Sequence, residues 1–222
     1  RYWGKKGNHS YNYDFGYKQF ALKYEMTETE AKYIFARLDN GYPQVKLGYQ
    51  ALIQEMLKRD RTVTNLFGRK RLFLGPVYPD RFTPHNECQG TFREGYAQLP
   101  QSTTADKINE QGIEFIYYNE TDYKPIELLA QIHDSIVFQI PLSVPWIKQA
   151  EMLLKIKNSL ETPLEWHGRV IPTPVDLATG FNMCKEDMIE MKSAKIPSDV
   201  NLLADRLQEN YNKLMEKRNE LQ

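Results

Sequence analysis

The chain has 222 residues, of which 41% are hydrophobic and 26% charged, with 29 Lys and Arg balanced by 29 Asp and Glu. That composition excludes a disordered, collagenous or disulfide-stapled chain and leaves room for one sizeable core or two small ones. No apolar run nears the ~20 residues that span a bilayer, Arg1–Lys6 is not a signal peptide, and Cys88 and Cys184 stand alone. A cytoplasmic, reducing compartment fits, with no membrane partner. Charge is uneven: Lys58, Arg59, Arg61, Arg69, Lys70 and Arg71 against the single Asp60 make a local basic patch of the kind that tracks phosphates.

In chain order, Arg1, Lys5, His9, Tyr13 and Tyr17 recur every four residues. On one helix they would form a continuous stripe drifting about 40° per turn. Cations at one end and rings at the other suit a ligand with a polyphosphate and a flat base. Packing of the rings into a core is the competing reading. Gly4 and Gly7 make the segment a poor helix by propensity.

Thr27 to Glu30 is a capping box opening a helix that Asn40-Gly41 stops. Pro43 opens a second, with Val45, Leu47, Leu52, Ile53, Met56 and Leu57 as its apolar face. Residues 62–74 predict a hairpin turning at Asn65 to Arg69, and residues 75–90, with Pro76, Pro79 and Pro84, a loop. A helix is predicted from Phe92, kinked or broken at Pro100 and ending near Tyr117. Its Arg93, Gln98 and Gln101 are long polar side chains among small residues, a pattern that an ordinary helix surface and a nucleic-acid contact fit equally.

Leu128–Ile132 and Ile136–Ile140 predict two buried strands joined by His133-Asp134-Ser135. Asp and Ser form turns without chemistry, so the hairpin by itself carries no function. Trp146–Leu160 predicts an amphipathic helix covering the sheet, and Trp166–Ile171 a further strand. Ser198 is expected to cap a last helix with Val200, Leu203, Leu207, Leu214 and Leu221, interrupted by Asn210 and Lys217. A coiled coil and a helix docked on its own domain fit that pattern equally.

Four features in this order, the Lys5-to-Tyr17 stripe, Gly68-Arg69, Gln98-x-Pro100-Gln101 with Ala105-Asp106, and Gln131-x-His133-Asp134, resemble the C-terminal part of family A DNA polymerases in a divergent phage-like form. The resemblance runs from Arg1 to about Asn182. It implies an α+β fold, a helical fingers subdomain plus an antiparallel palm sheet carrying the catalytic hairpin. Residues 1–118 would be fingers with the start of a palm-packing helix, 119–183 the C-terminal half of the palm, and 184–222 a helical extension. It implies that Lys5 and His9 meet the triphosphate of a dNTP, Tyr13 stacks on it, and Tyr17 lines the template side; His9 replaces the usual lysine. Arg69, Arg93, Gln98, Gln101 and Gln131 would contact primer-template DNA, with Ala97 at a position where the family has asparagine. Asp134 would be the second catalytic aspartate, a ligand for two Mg²⁺ ions, with His133 at the primer terminus and Ser135 in place of a glutamate.

The family's first aspartate lies in a strand before the fingers helix, where this chain has no residues. Asp122-Tyr123-Lys124-Pro125-Ile126-Glu127 looks like that motif, but Pro125 argues against a central strand. The expectation is a catalytic fragment or subunit of a DNA polymerase in a bacterial or phage-infected cell. It would be inactive until a second polypeptide or a preceding region supplies the first aspartate, the N-terminal palm and the thumb. A non-catalytic nucleic-acid-binding or assembly module is the alternative.

Overall fold

A computed structural model describes residues 2–79, 81 and 85–220. Arg1 of the predicted stripe, Pro84 of the predicted loop and Leu221 of the last helix lie outside the described residues. The chain divides into two compact units, residues 1–103 and 104–222.

The first unit is mainly helical. Helices α1 (Tyr2–Asn12), α2 (Tyr17–Lys23) and α3 (Glu28–Gly41) bury Tyr11, Phe20, Ala21, Ala31 and Phe35 together. Thr27 and Glu30 form the predicted reciprocal box, the Glu30 amide donating to Thr27 Oγ1 at 3.2 Å and the Thr27 amide to Glu30 Oε2 at 3.0 Å. Gly7 has a packing reason: a Cβ there would come 2.9 Å from Ile34 Cγ2, so its absence lets α1 lie against α3. Nothing in the structure explains Gly4.

A π-helical stretch, Val45–Gln50, leads into α4 (Ala51–Asp60). Its altered period departs from the predicted apolar face: Leu47 is 74% exposed, whereas Gln50 is buried and donates to the carbonyls of Tyr11 and Asn12. Strands β1 (Thr62–Thr64) and β2 (Lys70–Leu72) pair antiparallel across the predicted turn, with Gly68 at φ +82°.

Helix α5 (His85–Ile108) starts earlier than predicted and is unbroken at Pro100. Proline cannot donate to the carbonyl four residues back, here Tyr96. The Tyr49 hydroxyl takes that place, donating to the Tyr96 carbonyl at 2.6 Å. Tyr49→Phe should therefore destabilise this unit by about 1–3 kcal/mol, the cost of a buried carbonyl without a donor. Urea unfolding checks this, and an unchanged midpoint would show the bond to be dispensable.

The second unit is α+β. From the end of α5 the chain passes through a π-helical turn, Asn109–Ile113, into α6 (Glu114–Tyr118) and α7 (Glu120–Tyr123). Strands β3 (Glu127–Ile132) and β4 (Ser135–Gln139) form the predicted hairpin, with a bulge between Leu128 and Ala130. The strands are not both buried as expected. Leu128, Ile136 and Phe138 pack on Ile116, Tyr123, Met152, Ile156 and Leu160, while Leu129 is 57% exposed. Helix α8 (Trp146–Leu160) has its predicted bounds and backs the hairpin.

The expected single strand at 166–171 is instead a hairpin, β5 (Leu164–Trp166) and β6 (Arg169–Ile171), because His167 and Gly168 both take positive φ and turn the chain back. Strands β7 (Leu177–Thr179) and β8 (Ile189–Met191) form another. Helix α9 (Val200–Glu220) is capped by Asp199, whose Oδ1 accepts from the Leu202 amide at 3.0 Å, rather than by Ser198. It docks on α8 through Leu203, Ala204 and Leu207, which decides between the two readings of this helix. Its polar interruptions have partners: Asn210 donates to Thr179 Oγ1 at 3.3 Å, and Lys217 pairs with Asp187 at 2.9 Å.

Burial raises the phenol pKa of Tyr11, Tyr49, Tyr96 and Tyr123, reinforced at Tyr11 by the Asp39 carboxylate that its hydroxyl donates to. A folded pKa above the unfolded one stabilises fully below the unfolded value, about 10, and that stability is lost as pH climbs through the folded value. Lys155, Lys192 and Lys217, raised by hydrogen bonds to carboxylates, add in the same sense. Lys107, lowered by burial, opposes them. The net expectation is a melting temperature that falls from about pH 10 upward; a rising one would contradict these burials.

Candidate functional site

The fingers-side residues start from α1. Lys5 and His9 are one turn apart on its exposed face, because Gly7, Ser10 and Tyr11 turn the other face inward. The stripe ends there. Asp14 adopts φ +55°, the Phe15 amide donates to the Ser10 carbonyl at 2.8 Å and the Asp14 amide to the Tyr11 carbonyl at 3.1 Å. Those two bonds close the helix in a Schellman motif with Asp14 in the left-handed position.

Tyr13 therefore lies just past the helix, its ring edge-on to His9 with centroids 4.8 Å apart. Tyr17 begins α2, half-buried against the Tyr11, Phe20 and Phe35 cluster. The predicted single stripe is corrected to a cation-and-imidazole face with one adjoining ring, followed by a second helix.

Arg93 is drawn into this turn. Its Nε donates to the Asp14 carbonyl at 3.1 Å and lies 3.9 Å from the Asp14 carboxylate. Burial raises the Asp14 pKa, and the charges of Arg93 and Lys46 pull it back. Periodicity gave no signal for this pairing of residues 79 positions apart. Gln98 accepts from Arg71 at 3.2 Å, and Arg71 also pairs with Glu94 at 2.8 Å. Gln101 and Arg69 are exposed, the latter at the end of the β1–β2 turn.

Much of the basic patch ties its own unit together. Arg61 donates to the Gly75 carbonyl at 2.8 Å, Arg59 pairs with Asp60 at 3.2 Å, and the Lys58 ammonium sits 5.6 Å from the centre of the Phe92 ring.

In the second unit, His133 and Asp134 occupy the two-residue tip between β3 and β4, both exposed, with Gln131 on the adjoining strand. His133 has φ +54°. A residue with a Cβ in that region costs roughly 1–2 kcal/mol relative to ordinary backbone, and such strain is concentrated at functional sites. The Ser135 hydroxyl donates to the Ile132 carbonyl at 2.8 Å and closes the tip.

The look-alike motif is a core element. Tyr123 is buried, and Asp122 lies on the short helix α7, paired with Lys155 at 3.0 Å, which lowers its carboxyl pKa. Among the described residues no group of three His, Cys, Asp or Glu side chains that could hold a metal ion occurs. No described helix is long and apolar enough to cross a membrane.

The site thus stands on a helical unit followed by an α+β unit with an acidic hairpin tip. The POL domain of Pol1 from M. smegmatis, solved in complex with a DNA primer-template and dNTP, superposes with a TM-score of 0.59 at 17% identity, over 71% of this chain and 26% of that one. The chain thus spans about a quarter of the length of that structure. It belongs to DNA polymerase family A, which matches residues 1–185. No curated protein sequence matches it.

Proposed function

We propose that this chain carries the nucleotide-binding fingers and the second half of the palm of a template-directed DNA polymerase. The observation that carries the reading is the exposed His133-Asp134 tip on a hairpin seated in a packed core, within a chain of this family. In the reaction the primer 3′-oxygen attacks the α-phosphorus of a dNTP, a new P–O bond forms, and the bond to pyrophosphate breaks. Lys5, with His9, binds the triphosphate; Tyr13 packs beside the base and sugar, and Tyr17 supports the template side. Arg69, Gln101 and Gln131 contact primer-template DNA, Arg93 and Gln98 doing so from their positions against Asp14 and Arg71. His133 contacts the primer terminus.

Asp134 offers one carboxylate of hard oxygen donors, which fits part of a two-ion magnesium site and not the whole of it. The ions, when bound, supply Lewis acidity at the primer hydroxyl and the leaving pyrophosphate. The first aspartate then comes from polypeptide outside these 222 residues, along with the remaining palm and the thumb. Supporting this, Asp122 lies on the short helix α7 beside the buried Tyr123 and away from the hairpin tip, and the β3–β4 hairpin is a two-stranded sheet with exposed apolar residues, a form that is marginal without a further strand. In this reading residues 1–118 act as fingers, 119–183 as palm and 184–222 as an extension.

Primer extension by the chain, alone and with a polypeptide bearing a first-aspartate motif, tests the proposal. Incorporation by the pair supports it; DNA binding without incorporation under any pairing favours an assembly module instead. Lys5→Ala should raise the dNTP KM by about tenfold, ~1.4 kcal/mol, with a smaller effect on kcat. An unchanged KM would remove Lys5 from the triphosphate site.

A further inference from the structure

Tyr13 is the first residue past α1, and the backbone on both sides of it is held by side chains from other elements of its unit. The last four carbonyls of an α-helix have no donor within the helix. At the end of α1 the Phe15 amide takes the Ser10 carbonyl and the Asp14 amide takes the Tyr11 carbonyl. The Asn12 carbonyl, the last of the helix, is met by Gln50, whose Nε2 donates to it at 3.1 Å and to the Tyr11 carbonyl at 3.2 Å. That oxygen lies in the same rigid peptide plane as the Tyr13 nitrogen, so the bond acts on the Tyr13 backbone directly. On the far side, Arg93 donates to the Asp14 carbonyl at 3.1 Å.

This turn needs outside support. Asp14 has φ +55°, which costs a residue with a Cβ roughly 1–2 kcal/mol. Gln50 is suited to supplying that support because it is only 4% exposed, and carbonyl oxygens can only accept, so its NH₂ is committed to the two of them. The π-helical stretch Val45–Gln50 sets its direction, turning Gln50 inward while Leu47 faces out. Such stretches are rare and collect at functional sites. The preceding residue serves the same spot: burial raises the Tyr49 pKa and Tyr13 raises it further, which makes the two phenols neighbours. The Tyr13 ring in turn lies edge-on to His9, with centroids 4.8 Å apart.

We propose that Gln50 is a positioning residue for nucleotide binding: by holding the Asn12 carbonyl it sets the direction in which the Tyr13 ring leaves the end of α1, beside His9. This deepens the polymerase reading and rests on it for the role of Tyr13. Without the donor the Asn12–Tyr13 peptide is free to rotate, and a dNTP must order the ring as it binds. That ordering lowers affinity without touching the chemistry of the α-phosphorus.

The test is a double-mutant cycle of Gln50→Met, which matches the side chain in length and carries no N–H, with Tyr13→Ala. In primer extension by the full chain paired with a polypeptide bearing a first-aspartate motif, Gln50→Met should raise the dNTP KM about fivefold and leave the primer KM within about twofold. In the Tyr13→Ala background the same change should move the dNTP KM by less than about twofold, since the ring it positions is gone. In a readout independent of turnover, the amide ¹⁵N resonance of Tyr13 should move in Gln50→Met. An equal rise in KM in both backgrounds would overturn the proposal and make Gln50 merely structural. So would an unchanged KM with an unmoved Tyr13 resonance. If Gln50→Met does not fold, Gln50→Asn, whose amide falls one methylene short of the two carbonyls, carries the same comparison. A parent that extends primers while its KM ignores Gln50 sinks this proposal alone; a parent that extends no primer with any partner sinks the polymerase reading and the role of Tyr13 with it.

Discussion

Asp134→Asn is expected to reduce nucleotide incorporation by about 10³-fold or more, ~4 kcal/mol of transition-state stabilisation, with the melting temperature essentially unchanged. The two halves of that result have separate causes. Asparagine forms turns as readily as aspartate and fits the exposed hairpin tip, so the fold loses nothing. It carries no charge, however, and a neutral amide is a poor ligand for a hard divalent cation. DNA binding by the fingers-side cations should persist, since they belong to the other unit of the chain. Primer extension, differential scanning calorimetry and DNA-binding anisotropy measure the three quantities. Incorporation retained above about a tenth of the parent would remove Asp134 from the site, a loss of only ~1.4 kcal/mol being too small for a residue that would hold the catalytic ions. A large drop in melting temperature would mean that the carboxylate is structural.

Leu203→Ala is expected to destabilise the second unit by about 3 kcal/mol, although the residue lies beyond the 185 that match the family. Leu203 is fully buried, packed with Ala150, Leu153, Met191 and Leu207 in a cluster joining α9 to α8. Removing three carbons there leaves a cavity that two packed helices cannot close. The effect should reach the hairpin, because α8 turns Ala150 and Leu153 to α9 while Met152 and Ile156 support Ile136 and Phe138. Polar ties hold the extension as well. Glu161 accepts from the Ser193 hydroxyl at 2.7 Å and the Val175 amide at 2.9 Å, and its pKa falls as Lys157, Ser193 and Val175 outweigh the effect of burial. Urea unfolding of Leu203→Ala decides the matter. A change below about 1 kcal/mol would make α9 an appendage rather than a wall of this core.

Several elements whose deciding neighbours are local agree with the sequence. The Thr27–Glu30 box, the turn at Gly68, the α8 span and the His133-Asp134 hairpin depend on neighbours within a few residues, and each is where the sequence predicts it. Two departures are local, the Asp199 cap in place of Ser198 and the His167-Gly168 turn that makes residues 164–171 a hairpin, and others arise where a distant group supplies a bond. Pro100 predicts a kink or break; α5 runs through it without a break, and the Tyr49 hydroxyl, 47 residues from the carbonyl it serves, takes the place of the missing donor. The four-residue stripe through Tyr17 assumes one helix, but Asp14 leaves the helical region in a turn steadied by Arg93. Arg93 and Gln98, expected at primer-template DNA, also have partners inside their own unit, which their spacing does not reveal.

The order of motifs along the chain by itself determined the family, the α+β class and the hairpin with its acid at the tip, since periodicity, caps and turn residues act within a few positions. Only the tertiary structure decided which of the residues at helical spacing share a face and what the last helix packs on. Those depend on which surfaces meet, and a contact between residues far apart in the chain leaves no trace in the spacing of either one.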